Sequence, residues 1–496
     1  MPPSKWQVAV LILISLLVGL SACQTTSAPA PRRTAASPLT APPSQTAPSP
    51  NPTVAASTPT VTPAAVPTRT HYQLDVNLNY ASGVLTVIER IDYTNNTGTA
   101  LEALPLVVPP AQQAGVFSLI SLIETPSQTT LPANFEQTTL TLDLPDPLMA
   151  DETLSLNLIY TLQIPEGNHL LGRTDRQLLL TDWFPFIPPY RPDSGWLIEA
   201  PGPVGEYLAY PLADYDVRLK LSAPLEGLVV AASAPRLSDS MEGQHYTAEN
   251  VRNVTFALSP YLIEYTHTVE DVTVKAYVFP NHTPLGQRAA DLASEAWSLY
   301  ETLYGDNPRQ FLAVIEADLN DGMEYDGAFL LSENYFNTAD KTPQNYYELL
   351  IVHETAHQWF YAQVANDQAV EPWLDEAFAT YSELLYLEAT HPELTDWWWD
   401  YRVNAYQPSG WVDSTIYDHS RFRPYVNAVY LRGVQFLDAL RQRIGDPAFF
   451  AVLRDFGQPS EDDAIRTAPD FFAIVSAHTQ EDLSDLYAQF FQNIPD

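Results

Sequence analysis

From Tyr72 the chain alternates apolar and polar positions: Tyr72, Leu74, Val76, Leu78 and Tyr80 are separated by Gln73, Asp75, Asn77 and Asn79. Leu140, Leu142 and Leu144 repeat the pattern, as do Leu154, Leu156 and Leu158, then Val217, Leu219 and Leu221. A period of two puts one set of side chains on a single face of a strand. Short runs of this kind, broken by Pro, Gly and Asn, predict a mostly antiparallel β domain over 71–268. Within it, "TDWFPFIPPY" (181–190) reads as a packed loop. The period then lengthens. "LGQRAADLASEAWSLYETLYG" predicts an amphipathic helix stopping at Gly305, followed by a strand-like "FLAVIEADL" and "NDGMEYDGAFLLSENYF". Thr342-Pro343 is expected to cap the next helix, and Pro372 to open another that closes at His391-Pro392. The predicted class is α+β and multidomain, a β-rich part followed by a mostly helical part over 269–496.

The N-terminal stretch has a different character. Lys5 precedes the apolar run "VAVLILISLLVGL", too short for a membrane span but suited to a signal-peptide core. Leu20-Ser21-Ala22-Cys23 resembles the bacterial lipobox, which implies cleavage and lipidation at Cys23. That residue is the one cysteine in the sequence, so no disulfide can form within these 496 residues. Residues 24–70 are rich in Pro, Ala, Ser and Thr and hold no acid, the composition of a solvated tether without a core. The expected location is extracytoplasmic, with the chain attached by lipid to a bacterial cell membrane.

Charge narrows the partners. With 24 basic and 60 acidic residues the net charge is -36, and outside residues 1–70 it is about -40. A nucleic-acid binder needs the opposite field, so nucleic acid is excluded as a partner. The oligomeric state is not legible.

Candidate chemistry centres on "IVHETAHQWFYAQV" (351–364). On a helix, His353 and His357 stand one turn apart on one face and can share a Zn²⁺, with Glu354 beside them as base to a water on the metal. Composition predicts only about 0.02 such motifs by chance. A catalytic zinc needs a third protein ligand and an open position. Glu376, on the next predicted helix, offers that ligand. Glu383, two turns further on the same face, can orient an imidazole.

HExxH, 18 residues and then Glu within "WLDEAFATY" resembles the gluzincin zinc aminopeptidases of the aminopeptidase N family. "DGMEY" (321–325) is similar to that family's Gly-Ala-Met-Glu-Asn motif, and "YVNAVYLRG" (425–433) to its Tyr-x-x-x-x-Tyr-x-Lys-Gly segment. The resemblance covers about residues 71–496. It implies a saddle-like β domain and a thermolysin-like catalytic domain with one Zn²⁺ per chain, held by His353, His357 and Glu376. It implies Glu354 as general base, Tyr430 as the hydroxyl that stabilises the oxyanion, and Glu324, with Met323 and Gly322 beside it, as the grip on a peptide's free α-amine. Asp375, Glu383 and Arg432 are expected to steady the ligands from behind.

Asp321, Gly322 and Tyr325 depart from the exopeptidase motif, Arg432 stands at the usual Lys, and Asp375 and Ala377 flank the third ligand in place of Asn and Gly. Only 66 residues follow Tyr430, so a more open site than in longer relatives is expected. Three readings follow: an aminopeptidase acting on peptides with a free N-terminus, a gluzincin endopeptidase that has lost amine recognition, and a non-catalytic surface module that binds peptides.

Overall fold

The computed structural model of the chain describes residues 69–125, 127–223, 225–459 and 465–493. The apolar leader, Cys23 and nearly all of the 24–70 tether lie outside the described residues. Among the described residues no helix is long and apolar enough to cross a membrane.

The alternating runs form a seven-stranded sheet. Its spatial order is Arg236–Ser240, Gly243–Val251, Ala213–Leu221, Thr70–Asn79, Val84–Thr94, Thr153–Gln163 and Phe117–Thr125. A three-stranded sheet (Leu101–Val107, Ala133–Glu136 and Thr139–Leu148) sends Leu104, Leu106, Leu140 and Leu142 into the same core as Leu74, Val76 and Leu85. Trp183, Phe184 and Phe186 of the aromatic-proline stretch are buried there, so that loop is packed. One pairing departs from the antiparallel expectation: Thr70–Asn79 runs parallel to Ala213–Leu221. Strands so distant in sequence choose partners through the whole sheet, and no local pattern encodes that choice.

The second part is a mixed sheet flanked by helices. Strands β1 (Ile263–Val269), β2 (Val272–Val278), β3 (Phe311–Ala317), β4 (Gly322–Tyr325) and β5 (Ala328–Ser332) lie in the order β1-β2-β3-β5-β4. The three central strands are parallel and the two edge strands antiparallel. β1 belongs to this sheet although the sequence reading put the boundary at 268/269, because the period-two signal runs unbroken from one sheet into the next.

Helix α1 (Thr283–Tyr304) ends at Gly305 as expected. Helices α2 (Tyr346–Ala356) and α3 (Trp373–Thr390) form the centre of the helical core. Residues 373–387 are buried on every side, which explains why α3 shows little amphipathic contrast. The N-cap of α2 is Asn345, whose side chain accepts from the Glu348 amide, and not Thr342. Asn345 in turn donates to the Thr342 carbonyl, so the Thr-Pro turn leads into the cap.

Helix α4 (Phe422–Val426) continues through a wider turn at Asn427–Leu431 into α5 (Arg432–Ile444). The β-rich part is fastened to the loop after α2. Buried Arg252 donates to the carbonyls of Tyr361, Ala362, Gln363 and Tyr210. These bonds hold Tyr361 at φ 139°, a strained value for a non-glycine residue, just past the end of α2.

Candidate active site

His353 sits in the last turn of α2 and His357 at its C-terminal cap, while Glu376 sits in the first turn of α3. Their tips converge. His353 Nε2 and His357 Nε2 are 3.2 Å apart, and Glu376 Oε2 lies 3.4 Å and 3.6 Å from them. Both imidazole tautomers are fixed from behind: His353 Nδ1–H donates to Glu383 Oε1 at 3.1 Å and His357 Nδ1–H to the Phe360 carbonyl at 2.9 Å. Each Nε2 therefore turns a lone pair to the centre. Glu376 Oε2 is buried there without a hydrogen-bond donor.

Three lone pairs facing one another repel unless a cation lies between them. Ligands about 2.0–2.1 Å from a tetrahedral Zn²⁺ stand about 3.3 Å apart, which is the spacing found. The donor set fits zinc. Burial opposes charge on Glu376, but the two imidazoles overrule it and hold the carboxyl well below its usual range. Without a cation between them, burial opposes charge on His353 while Glu376 and Glu383 push it up to about 9, so metal binding there displaces a proton.

Glu354 lies beside the triad with Oε2 buried and unpartnered. Burial pushes it up to about 8, near the range suited to moving protons at neutral pH. Gly322 on β4 makes room for it, since a Cβ at that position would collide with Glu354 Oε1. Glu324, two residues on, also reaches the cavity, and it forms a cluster with Glu354 and His357. Met323 lines the rim and rests against a small apolar cluster that contains Tyr325. Tyr325 points the other way, donating to Asp182 at 3.2 Å. The altered motif thus keeps its strand, with Glu324 facing the site.

Gln368 bridges Glu324 Oε1 and Asp375 Oδ2, donating to each at 3.1 Å. Asp375 Oδ1 accepts from the Glu376 amide at 2.7 Å and so fixes the first turn of α3. Glu206, from the β-rich part, closes the same end. Burial raises Glu206, Glu324 and Asp375 above the carboxylate range, and Glu376 repels all three. Tyr430 stacks parallel to His353 with ring centroids 6.4 Å apart and its hydroxyl facing Glu376. Burial pushes that phenol well above its usual value, so it remains an O–H donor.

Glu383, which accepts from His353, has further partners. Its side chain is fully buried and takes a fork from Arg402 at 2.9 Å and 3.0 Å, with Trp398 Nε1–H donating at 2.9 Å. Arg432 does not steady the ligands. Its guanidinium donates to Gln435 and the Gln489 carbonyl and lies over Phe490. Two residues past Tyr430, the helix has carried it to the opposite face. Its neighbour Gly433 serves the site instead, because a Cβ there would collide with Ala377, next to Glu376.

The sequence reading missed Gln368, Arg402, Trp398 and Glu206. Helical spacing could have paired Glu383 only with residues of its own helix, and nothing marks Glu206 within "GPVGEYLAY". His353, His357, Glu376, Glu354, Glu324 and Tyr430 line a cavity of about 1160 Å³ together with Tyr335, Tyr346, Leu350, Tyr406 and Arg423.

Fold and site together are those of a gluzincin, with HExxH on one helix completed by a glutamate of the next. Residues 298–490 match the Peptidase family M1 domain, and over that stretch the chain is similar to aminopeptidases of the aminopeptidase N group. It is 28% identical to aminopeptidase N of Lactobacillus helveticus over 49% of this chain and 33% of that protein. It is 25% identical to human endoplasmic reticulum aminopeptidase 1 over 50% of this chain and 29% of that protein. The matched stretch thus spans about a third of the length of these curated relatives. A crystal structure of an M1 zinc metallopeptidase mutant from Deinococcus radiodurans, bound to a Tyr-Ser-Ala substrate, shares the fold with a TM-score of 0.59 at 18% identity. That match covers 86% of this chain and 95% of the other. A two-domain M1 zinc metallopeptidase mutant bound to L-arginine matches with a TM-score of 0.60 at 17% identity, with the same coverage.

Proposed function

We propose that this chain is a zinc-dependent aminopeptidase that removes N-terminal residues from peptides. One observation carries the reading: three lone-pair donors held 3.2–3.6 Å apart share a cavity with an unpartnered base and a separate cluster of carboxylates. Zinc, when bound by His353, His357 and Glu376, supplies a Lewis acid that polarises the scissile carbonyl and acidifies the attacking water. Glu354 takes the water's proton on its free oxygen and delivers it to the leaving nitrogen. Tyr430 donates its O–H to the developing oxyanion, a bond worth more in the transition state than in the ground state. Glu324 and Glu206 receive the α-ammonium, with Gln368 holding Glu324 in place. An anionic pocket beside His353, His357 and Glu376 selects the end of a chain over its middle and argues against the endopeptidase reading.

Two measurements test the roles. Acetylating the N-terminus of a tripeptide is expected to abolish cleavage, and Glu324→Ala to raise KM for the free peptide by at least about tenfold. Cleavage of the acetylated peptide at the wild-type rate would make the enzyme an endopeptidase. Tyr430→Phe is expected to lower kcat on an aminoacyl anilide about 10²-fold with KM little changed. An unaltered kcat would remove Tyr430 from the mechanism.

The leader and lipobox residues support a location outside the cytoplasm, with Cys23 carrying the lipid and residues 24–70 as the tether. Metabolic labelling with a palmitate analogue, lost in Cys23→Ser, tests this.

A further inference from the structure

The catalytic cavity is electrically lopsided. Around the metal triad it is lined by Glu206, Glu324, Glu354 and Glu376. Two arginines line it as well. Arg402 is neutralised by Glu383, whereas Arg423 has no carboxylate within ion-pair distance among the described residues. In a chain with 60 acidic and 24 basic residues, Arg423 is thus an unpaired cation on the lining of an otherwise acidic cavity.

Arg423 is also held in place. Its guanidinium stacks 4.2 Å from the centre of the Tyr406 ring. Tyr406 is fixed through its hydroxyl to Tyr346 at 3.1 Å and through its carbonyl to Asn427 at 3.2 Å. The only other acid on the lining, Asp321, is occupied by the Tyr335 hydroxyl at 2.5 Å and the Gly322 amide at 3.0 Å.

The two poles lie at opposite ends of α2. The acidic pole gathers at His357 and Glu324, whereas Arg423 reaches the far end through Tyr406 and Tyr346, eleven residues or about 16 Å earlier along the helix. Arg423, Val426 and Tyr430 share one face of the α4 run and all line the cavity. From Tyr430 to Arg423 is about two turns, roughly 10 Å along the axis. An extended peptide advances about 3.3 Å per residue. A carboxylate two or three residues beyond the carbonyl at Tyr430 therefore comes within reach of the guanidinium.

We propose that Arg423 binds the C-terminal carboxylate of short substrates and makes this enzyme selective for tri- and tetrapeptides with both ends free. The proposal rests on the aminopeptidase reading above. The bond formed is a charge-assisted N–H···O pair in a site whose acidic end already holds the ammonium.

The experiment compares Ala-Ala-Ala with its C-terminal amide on the same zinc-loaded enzyme, so that losses of folding or metal cancel in the ratio. Wild type is expected to favour the acid by about tenfold in kcat/KM, mostly through KM. In Arg423→Met, which keeps the apolar stem, the ratio should fall to near one, and Arg423→Lys should restore part of it. A purely structural Arg423 would lower both substrates alike and leave the ratio intact, which would overturn the proposal, as would a wild-type ratio near one. Calorimetric binding of acid and amide to Glu354→Gln reads the same preference without turnover, and equal affinities there would also overturn it. Failure of the parent reading looks different: neither peptide would be cleaved in a Glu354-dependent manner.

Discussion

Glu354→Gln is expected to leave the protein folded, loaded with one zinc and able to bind peptide, while lowering kcat by about 10³-fold. The glutamine fills the same space beside Gly322, where a larger side chain would find none. It takes no part in the triad, whose three donors are His353, His357 and Glu376. What it loses is the ability to receive a proton on an oxygen that no protein group engages. Metal analysis, calorimetric peptide affinity and steady-state rates on an aminoacyl anilide check the three parts separately. Turnover within tenfold of wild type would move the base elsewhere, and loss of zinc would mean that Glu354 holds the metal.

Arg402→Ala should be the most damaging change away from the triad. Burial works against the charge on Glu383, and Arg402 overrules it, keeping the carboxyl below its usual range. Both side chains are almost wholly buried. Removing the arginine leaves a buried negative charge with only the neutral donors of His353 and Trp398, at a cost of about 3–5 kcal/mol and a fall in Tm of about 10 °C. The same carboxylate fixes the His353 tautomer, so zinc affinity should weaken about 10- to 100-fold. The double variant Arg402→Met with Glu383→Leu separates the effects. It should recover most of the stability, because no charge is stranded, and none of the zinc affinity. Thermal denaturation and chelator competition measure the two quantities. A single variant as stable as wild type would mean that Glu383 does not depend on Arg402.

The helical half of the site was legible because its logic is local. His353 and His357 meet through one turn of α2, and Glu383 follows Glu376 at two turns on α3, relations that backbone geometry alone dictates. Gly305, the strand over Phe311–Ala317 and the alternation from Tyr72 to Tyr80 were readable for the same reason. Similarity of a motif does not fix the direction of a side chain, and helix phase points Arg432 to Gln489 and Phe490.

What the sequence determined by itself was the set of elements and the pairing of His353 with His357 across one helical turn, since both follow from spacing along one chain segment. The tertiary structure alone decided which strands pair, that Arg402 neutralises Glu383, that Gln368 ties Glu324 to Asp375, and that Glu206 enters the cavity from the β-rich part. Those relations join residues remote in sequence. Their strength comes from burial that removes water from both partners, a property of the packed whole that no stretch of the chain carries alone.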